Sequence, residues 1–440
     1  MDKFIITGGN PLKGTVKISG AKNCALKVVV AGLYAADPIV LRNMPNLSDT
    51  RVMLQILTEF GAETTFVGDT VTVRSQQLVS NTVSLENAAK CKTSTLAFGP
   101  LLNLTGEAHI PDPGGDKIGK RPIDRYIDGL RALGATVNYE DGYFHAFAPK
   151  GLIGNTFRFS KNTHVGTEMM VLATVCAKGT SVIENAAQEP EIDDLISLLN
   201  KMGGQIERIE PRTIRAKGVP SLHGAEHSIM GDRLEAATFI CAAMATNGEV
   251  ELQGIDWMIM SAFLQKVEES GWRYELTQNG LKVRGDRLAA VDVTTEIYPG
   301  FNTDCQSPWC VAMTQAEGTS IIHETIHEAR FGYVKELQKM GAHIELYRPE
   351  VENPDTVYNF NLSDDHETHP HAARITGPTL LHAFEVDAGD IRAGATLVIA
   401  ALCADGVSTV TGVHHIERGY ENFVSRFNSL GAKIEVVEIP

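Results

Sequence analysis

Three things are scarce in this chain of 440 residues, and each scarcity narrows what it does. No uncharged apolar run approaches the roughly 20 residues that a membrane-spanning helix needs. The opening Met1-Asp2-Lys3-Phe4-Ile5-Ile6-Thr7-Gly8-Gly9 has no signal-peptide apolar core. Paired cysteines are also missing. The seven present (24, 91, 176, 241, 305, 310, 403) are odd in number and scattered, with no C-x-x-C. They read as reduced, buried thiols of a cytoplasmic protein, without disulfides or zinc. Positive charge is short as well: the net charge is −15, which argues against a nucleic-acid partner. Small anions stay open, because they need only a local cluster of cations. His366, His369 and His371 lie close together, but in a polar stretch that reads as an exposed loop. With no second set of ligands at suitable spacing, no metal is expected there.

What is present suits a globular protein of two or three domains: 43% hydrophobic and 21% charged residues. The strongest organising signal is repetition. A helix-like segment ending in Gly and followed by a strand-like one recurs at Gly61, Gly134, Gly203, Gly271, Gly341 and Gly431, spaced 73, 69, 68, 70 and 90 positions apart. A second helix-end mark recurs in phase at Gly106, Gly179, Gly248, Gly318 and Gly406, with Asp37 in the equivalent place of the first copy. Glycine just past a helix takes the left-handed conformation that other residues resist. Each copy reads strand–helix–strand–helix–strand–strand, the last lengthened by an insertion near Pro349 to Ala373.

One helix of each copy is apolar nearly all round, as in Ala236 to Ala245 and Ala393 to Leu402. Such helices are buried on every side. An α/β fold with helices inside and strands outside, in two groups of three repeats, is therefore expected. A solenoid competes with it, but would want one wet helix face per repeat.

The stretch Pro111 to Asp124 is rich in Pro, Gly, Lys, Arg and Asp. Gly114, Gly119 and Lys120 fit the spacing of a phosphate-cradling loop, yet Arg121 replaces the Ser or Thr that would hold magnesium, so that reading fails. A lid over residues 112–121 fits better, its cations closing on an anionic substrate and Asp116 at its tip as the reactive group. Cations also stand at expected helix starts: Lys22 after a possible Ser19 cap, Lys92, Arg121 before Pro122, Arg233, Arg330, Arg392 and Arg418. Each opposes the helix dipole at a cost of some tenths of a kcal/mol, which points to a shared anionic ligand. The competing expectation is local neutralisation, Arg233 by Asp232 and Arg392 by Asp390. Asp304 at another helix start is either a cap or a base for a substrate hydroxyl.

Several segments together resemble the enolpyruvyl transferases: Ile18-Ser19-Gly20-Ala21-Lys22-Asn23, Pro113-Gly114-Gly115 with Arg121-Pro122, Glu184-Asn185-Ala186-Ala187, Asp232-Arg233 with Glu235, Thr303-Asp304 with Gln306, Ala329-Arg330-Phe331, Asp390 with Arg392-Ala393, and Arg418-Gly419-Tyr420-Glu421. The resemblance runs from Ile5 to Val437. It implies two inside-out α/β domains of three repeats each, residues 22–231 and 1–21 with 232–440. It implies transfer of the enolpyruvyl group of phosphoenolpyruvate to the 3-hydroxyl of UDP-N-acetylglucosamine, with phosphate released and no cofactor or metal. The setting would be peptidoglycan synthesis in the cytoplasm.

Carried over by position, Lys22, Arg121 and Arg418 would hold the phosphate, and Arg330 and Arg392 the carboxylate side. Asn23 and Asp304 would contact the sugar, and Lys92 the substrate. Arg121, Pro122, Ile123, Asp124 and Arg125, with Val165, Gly166 and Ile326, would take the uridine diphosphate. Asp116, Lys22, Asp304 and Arg392 would be the catalytic set.

The chain departs from the family pattern at three places. Asp116 stands where the lid residue is usually cysteine, and Lys92 where arginine is usual. Tyr126 and the segment Asn162 to Gly166 differ around the nucleotide. Two alternatives stay open: the same transfer to another acceptor, such as shikimate phosphate or another uridine compound, and a non-catalytic anion-binding protein of the same fold. Oligomeric state is not written in the sequence.

Overall fold

The computed structural model describes residues 2–112 and 122–438. They fall into two compact units, one of residues 2–19 and 231–438 and one of residues 20–112 and 122–230. In the first unit, the helices Arg233–Ala245, Thr303–Thr314 and Ile391–Cys403 all pack against one another. Every residue of Arg233–Ala245 is buried, and so is all of Ile391–Cys403 but its last residue. In a solenoid, the first and third helices would not meet. In the second unit Phe98–Thr105 packs against His164–Thr174, and Lys22–Ala31 meets them through the short 3-10 turn Lys92–Ala97 that leads into the former and through the pair Lys27–Glu168. These helices are built largely from Ala, Leu, Val, Ile and Met. Their buried threonines other than Thr396 return their hydroxyls to the preceding turn, as Thr238 does to the Leu234 carbonyl at 2.9 Å.

Sheets enclose the helices. Among the described residues there are five four-stranded sheets and one three-stranded sheet, the repeated unit in six copies. The third copy shows the plan. Thr156–Arg158 runs parallel to Thr180–Glu184, which pairs antiparallel with Thr213–Lys217, and that strand with Ile206–Glu210. Two first strands are exchanged. Lys13–Lys17 precedes the helix Lys22–Ala31 in sequence but pairs with Glu249–Gln253, whereas Glu226–Ser228 precedes Arg233–Ala245 but pairs with Ile39–Arg42. The chain thus changes unit after residue 19 and again after residue 230. Asp2–Thr7 completes the last sheet between Val407–Thr411 and Lys433–Glu438. This is the inside-out α/β fold. No helix among the described residues is long and apolar enough to cross a membrane.

All six late glycines, Gly61, Gly134, Gly203, Gly271, Gly341 and Gly431, have φ between +87° and +100°. The second mark is less uniform. Gly106, Gly179, Gly318 and Gly406 are left-handed, but in the fourth copy Asn247 (φ +50°) takes that conformation in place of Gly248, and Asp37 does not take it. A Cβ at Gly248 would instead fall 2.2 Å from the Leu12 carbonyl oxygen, so that glycine serves a close approach.

Other local expectations need correction. Pro122 does not open a helix, which starts at Asp124. The helix after Arg330 begins only at Val334, and the helix after Arg418 at Phe423. The stretch with the three histidines is not simply an exposed loop: His371 is fully buried, 3.0 Å from Asp365, which also accepts from Arg348.

Gly134 separates backbone from packing effects, because an added Cβ there would meet nothing within 4 Å. Gly134→Ala should therefore cost about 1 kcal/mol, the price of the left-handed conformation alone, read as a lowered urea midpoint.

Candidate active site

The unit of residues 2–19 and 231–438 gathers charge around Asp304. The helix Thr303–Thr314 is capped by Asn302, whose side chain accepts from the Asp304 N–H at 2.7 Å. Asp304 is therefore not the cap, and its carboxylate is used elsewhere. Oδ1 accepts from Arg330 Nη2 at 2.6 Å, and Oδ2 lies 3.4 Å from Arg392 Nε. Both guanidiniums are buried, while a quarter of the Asp304 side chain is exposed. Arg392 Nη1 also donates to Tyr420 Oη at 2.7 Å, and that oxygen lies 2.8 Å from Thr238 Oγ1.

Asp390 and Asp232 serve as caps, each accepting from two backbone N–H groups of the following turn. The Arg392 side chain is thus matched by Asp304, from another repeat, and by Tyr420, from later in its own, and not by its neighbour Asp390 through an ion pair. Burial opposes the charge on Arg392, but Tyr420, Asp304 and Asp232 outweigh it and hold the group above its ordinary pKa. Burial likewise opposes Arg330, and Asp304, Asp390 and Glu324 more than compensate. Burial pushes the Tyr420 hydroxyl up, so it stays protonated.

Glu324, which sequence reasoning missed, is wholly buried behind this group. One oxygen accepts from the N–H groups of Ile326 (2.8 Å) and His327 (3.0 Å), and the other from Thr303 Oγ1 (2.9 Å). It ties Ile326 to the turn that carries Asp304. Its signal was a charge at the end of an apolar strand, Ile321-Ile322-His323-Glu324. Arg233 lies over the Tyr298 ring at 5.1 Å, beside a cavity of about 20 Å³ that Asn302 and Cys305 also line.

The unit of residues 20–112 and 122–230 carries the other candidates. Lys22 is the first residue of Lys22–Ala31, and its Nζ lies 2.8 Å from Asp49 Oδ2. The cap position is Ala21, which offers no side-chain bond. Ser19 instead gives its hydroxyl to Glu235 at 2.8 Å, within the unit of residues 2–19 and 231–438. Asn23 follows Lys22 on the same turn, and Lys92 opens the 3-10 turn Lys92–Ala97. Arg125 Nη1 donates to the Asn162 carbonyl at 3.1 Å, which brings the segment after Pro122, Ile123 and Asp124 against Thr163, Val165 and Gly166. Thr163 caps His164–Thr174 by accepting from the Gly166 N–H. A Cβ on Gly166 would lie 2.5 Å from Thr163 Cγ2 and 2.9 Å from the Tyr126 ring, so glycine is needed there.

Of the seven cations expected at helix starts, Lys22, Lys92, Arg233 and Arg392 stand in a first turn. Arg330 does not, and Arg418 follows a one-turn helix, His414–Glu417, where the dipole favours a cation. Arg121, Asp116 and the rest of 113–121 lie outside the described residues.

A family model described as EPSP synthase (3-phosphoshikimate 1-carboxyvinyltransferase) matches residues 6–427. The chain belongs to this family, the enolpyruvyl transferases. This enolpyruvyl transferase is 41% identical over 442 residues to a protein of Solibacter usitatus named UDP-N-acetylglucosamine 1-carboxyvinyltransferase, covering all of both chains. It is 40% identical, again over both whole chains, to a Ruegeria pomeroyi protein of the same name. Among solved structures it resembles the enolpyruvyl transferase NikO from Streptomyces tendae, with a TM-score of 0.86 at 23% identity over 100% of this chain and 99% of the other. An EPSP synthase from Acinetobacter baumannii follows at 0.73 and 18%, over the whole of both chains. At those identities the structures speak for the fold.

His164 makes a pH test possible. Its ring lies 3.0 Å from the buried Glu168, which also faces Lys27 at 3.3 Å. Burial lowers the imidazole pKa, but Glu168 and Glu189 reverse that, and the net shift is upward. A raised pKa adds stability that is full below the unfolded value of about 6.5 and lost as pH rises through the folded value. His164→Gln should therefore lower the denaturation midpoint more at pH 5.5 than at pH 8.5, and equal losses at both would contradict the assignment.

Proposed function

We propose that this chain transfers the enolpyruvyl group of phosphoenolpyruvate to the 3-hydroxyl of UDP-N-acetylglucosamine, the committed entry into peptidoglycan synthesis in the cytoplasm. The observation that carries this reading is the similarity, at about 40% identity from end to end, to relatives named for that reaction. The residues suit its chemistry. Both substrates are anions, and the cations Lys22, Lys92, Arg330, Arg392 and Arg418 are available in a chain that is acidic as a whole.

In this reading the acceptor oxygen bonds to C2 of phosphoenolpyruvate while a proton is delivered to C3. A tetrahedral intermediate forms. Loss of a C3 proton and breaking of the C2–O bond then release phosphate and restore the double bond. Asp304 takes the acceptor hydroxyl's proton and relaxes its contact with Arg330 or Arg392 as the substrate carboxylate arrives. Lys22, Arg121 and Arg418 hold the phosphate, and Asn23 the sugar. Arg121 to Arg125, Val165, Gly166 and Ile326 hold the uridine diphosphate, with Glu324 fixing the Ile326 loop. Residues 22–231 and the discontinuous remainder serve as the two domains of the transferase.

Phosphate release in the presence of phosphoenolpyruvate and a panel of acceptors tests this directly. Turnover with UDP-N-acetylglucosamine is expected, and turnover only with 3-phosphoshikimate or another acceptor would reassign the enzyme. Lys22→Ala should lower kcat/KM by about 100-fold or more through loss of a charge-assisted phosphate contact. Asp304→Ala should act mainly on kcat. Near-normal turnover in either variant removes that residue from the site.

Asp116 carries its own test. A carboxyl group has a reference pKa of about 3.9 and a thiol about 8.5, so a carboxylic acid that protonates C3 depends on burial beside the substrate anion to keep its proton. The alkaline limb of activity should lie at lower pH in the natural chain than in Asp116→Cys, and Asp116→Ala should be nearly inactive. A carboxylate is a weak nucleophile towards the epoxide fosfomycin, which alkylates the lid thiolate of cysteine-bearing relatives. The natural chain should resist it and Asp116→Cys should be inactivated with time. Full activity in Asp116→Ala would overturn the role.

A further inference from the structure

Three carboxylates, each from a different helix, hold the first two turns of Lys22–Ala31. Asp49 of Ser48–Glu59 meets Lys22 at 2.8 Å, Asp194 of Pro190–Lys201 meets Cys24 at 2.7 Å, and Glu168 of His164–Thr174 meets Lys27 at 3.3 Å. Eight of the ten residues of Lys22–Ala31 are buried, and its surface is apolar nearly all round. Apolar packing on every side specifies little about rotation of such a helix around its axis, whereas directional polar contacts do. The cap position Ala21 adds no side-chain bond that would fix the first turn.

The Asp194 contact differs from the other two because, among the described residues, no lysine or arginine touches that carboxylate directly. Its Oδ2 faces both Cys24 Sγ and His227 Nε2, the latter at 3.0 Å, and Lys201 Nζ lies 3.0 Å from His227 Nδ1. An ammonium group only donates, so Nδ1 carries the lone pair and the Nε2 hydrogen points at Asp194. Burial pushes the Cys24 thiol well up, and Asp194 adds to this, so the sulfur keeps its proton and donates. The contacts therefore run in one direction, from Lys201 through His227 to Asp194, and from Cys24 to the same oxygen.

We propose that Asp194, oriented by His227 and Lys201, is a positioning residue for the transfer reaction: through Cys24 it locks the first turn of Lys22–Ala31 and with it the aim of Lys22 and Asn23. This rests on the placing of Lys22 and Asn23 in the substrate site proposed above. Asp194 touches no reacting atom itself.

The test uses Asp194→Ala, Asp194→Asn, Cys24→Ala and Cys24→Ser in the full chain. Asparagine keeps an oxygen that accepts from both donors, and serine keeps a donor. Asp194→Ala and Cys24→Ala should each lower kcat/KM for phosphoenolpyruvate by about tenfold, the cost of a small misplacement of binding groups. The Asn and Ser variants should recover most of that loss. The double alanine variant should be no worse than either single one, since both break the same link. Amide exchange over residues 22–27, measured without substrates, should quicken in Asp194→Ala.

Native kcat/KM in Asp194→Ala, equal damage in Asp194→Asn, or multiplied losses in the double variant would each overturn the proposal. If the natural chain turns over none of the acceptors, the functional reading above fails. Exchange over residues 22–27 then decides the positioning role alone, and an unchanged rate in Asp194→Ala refutes it.

Discussion

A helix that is apolar on all sides is stable only where protein covers every side of it, and that constraint organises this chain. In the unit of residues 2–19 and 231–438 three such helices cover one another, and in both units the sheets cover what remains. Their ends are then the places where polar groups have most room. A buried helix start exposes unpaired N–H groups, so a cap is needed. Asp232, Asp390, Asn302 and Thr163 supply it from the side chain. Lys22–Ala31 has no such cap, and its first turn is tied instead by Lys22 to Asp49 and by Cys24 to Asp194.

Charge at these ends obeys a second rule. A guanidinium out of water costs several kcal/mol unless an anion meets it, and a buried pair contributes little net stability even when well made. Arg330 and Arg392 share Asp304, with Tyr420 on the far side of Arg392. Such a group is better explained as geometry than as glue. It holds two permanent cations and one partly exposed carboxylate at set positions, where an incoming anion can replace part of the existing pairing. Glu324 links this arrangement to the Ile326 loop, accepting from the backbone N–H groups of Ile326 and His327 and from the Thr303 hydroxyl beside Asp304.

The asymmetry between the units follows from the chain path. First strands are exchanged at Lys13–Lys17 and Glu226–Ser228, so the segment leading into Lys22 begins in the sheets of one unit and ends in the helices of the other. Lys22 and Asn23 therefore stand three and four residues after a crossing, and Asp232 and Arg233 follow the other. Residues beside a crossing are anchored by strand pairing in one unit before it and by a buried helix in the other after it.

Much of this was legible in the sequence. The six-fold repeat, the helix-end glycines and the wholly apolar helices depend on preferences within a few residues of each position, and those survive as pattern whatever the rest of the chain does. Gly248 shows the limit, since its partner is the Leu12 carbonyl, more than two hundred residues away. Tertiary structure alone decided that Asn302 and not Asp304 is the cap, and that Arg392 reaches Asp304 and Tyr420 while Asp390 turns to the backbone. It also decided that Arg330 and Arg418 stand outside helix starts, and that Cys24, Asp194 and His227 meet at all. Side-chain partners are chosen by which segments the packing brings within about 3 Å, a hydrogen-bond distance that no local periodicity encodes.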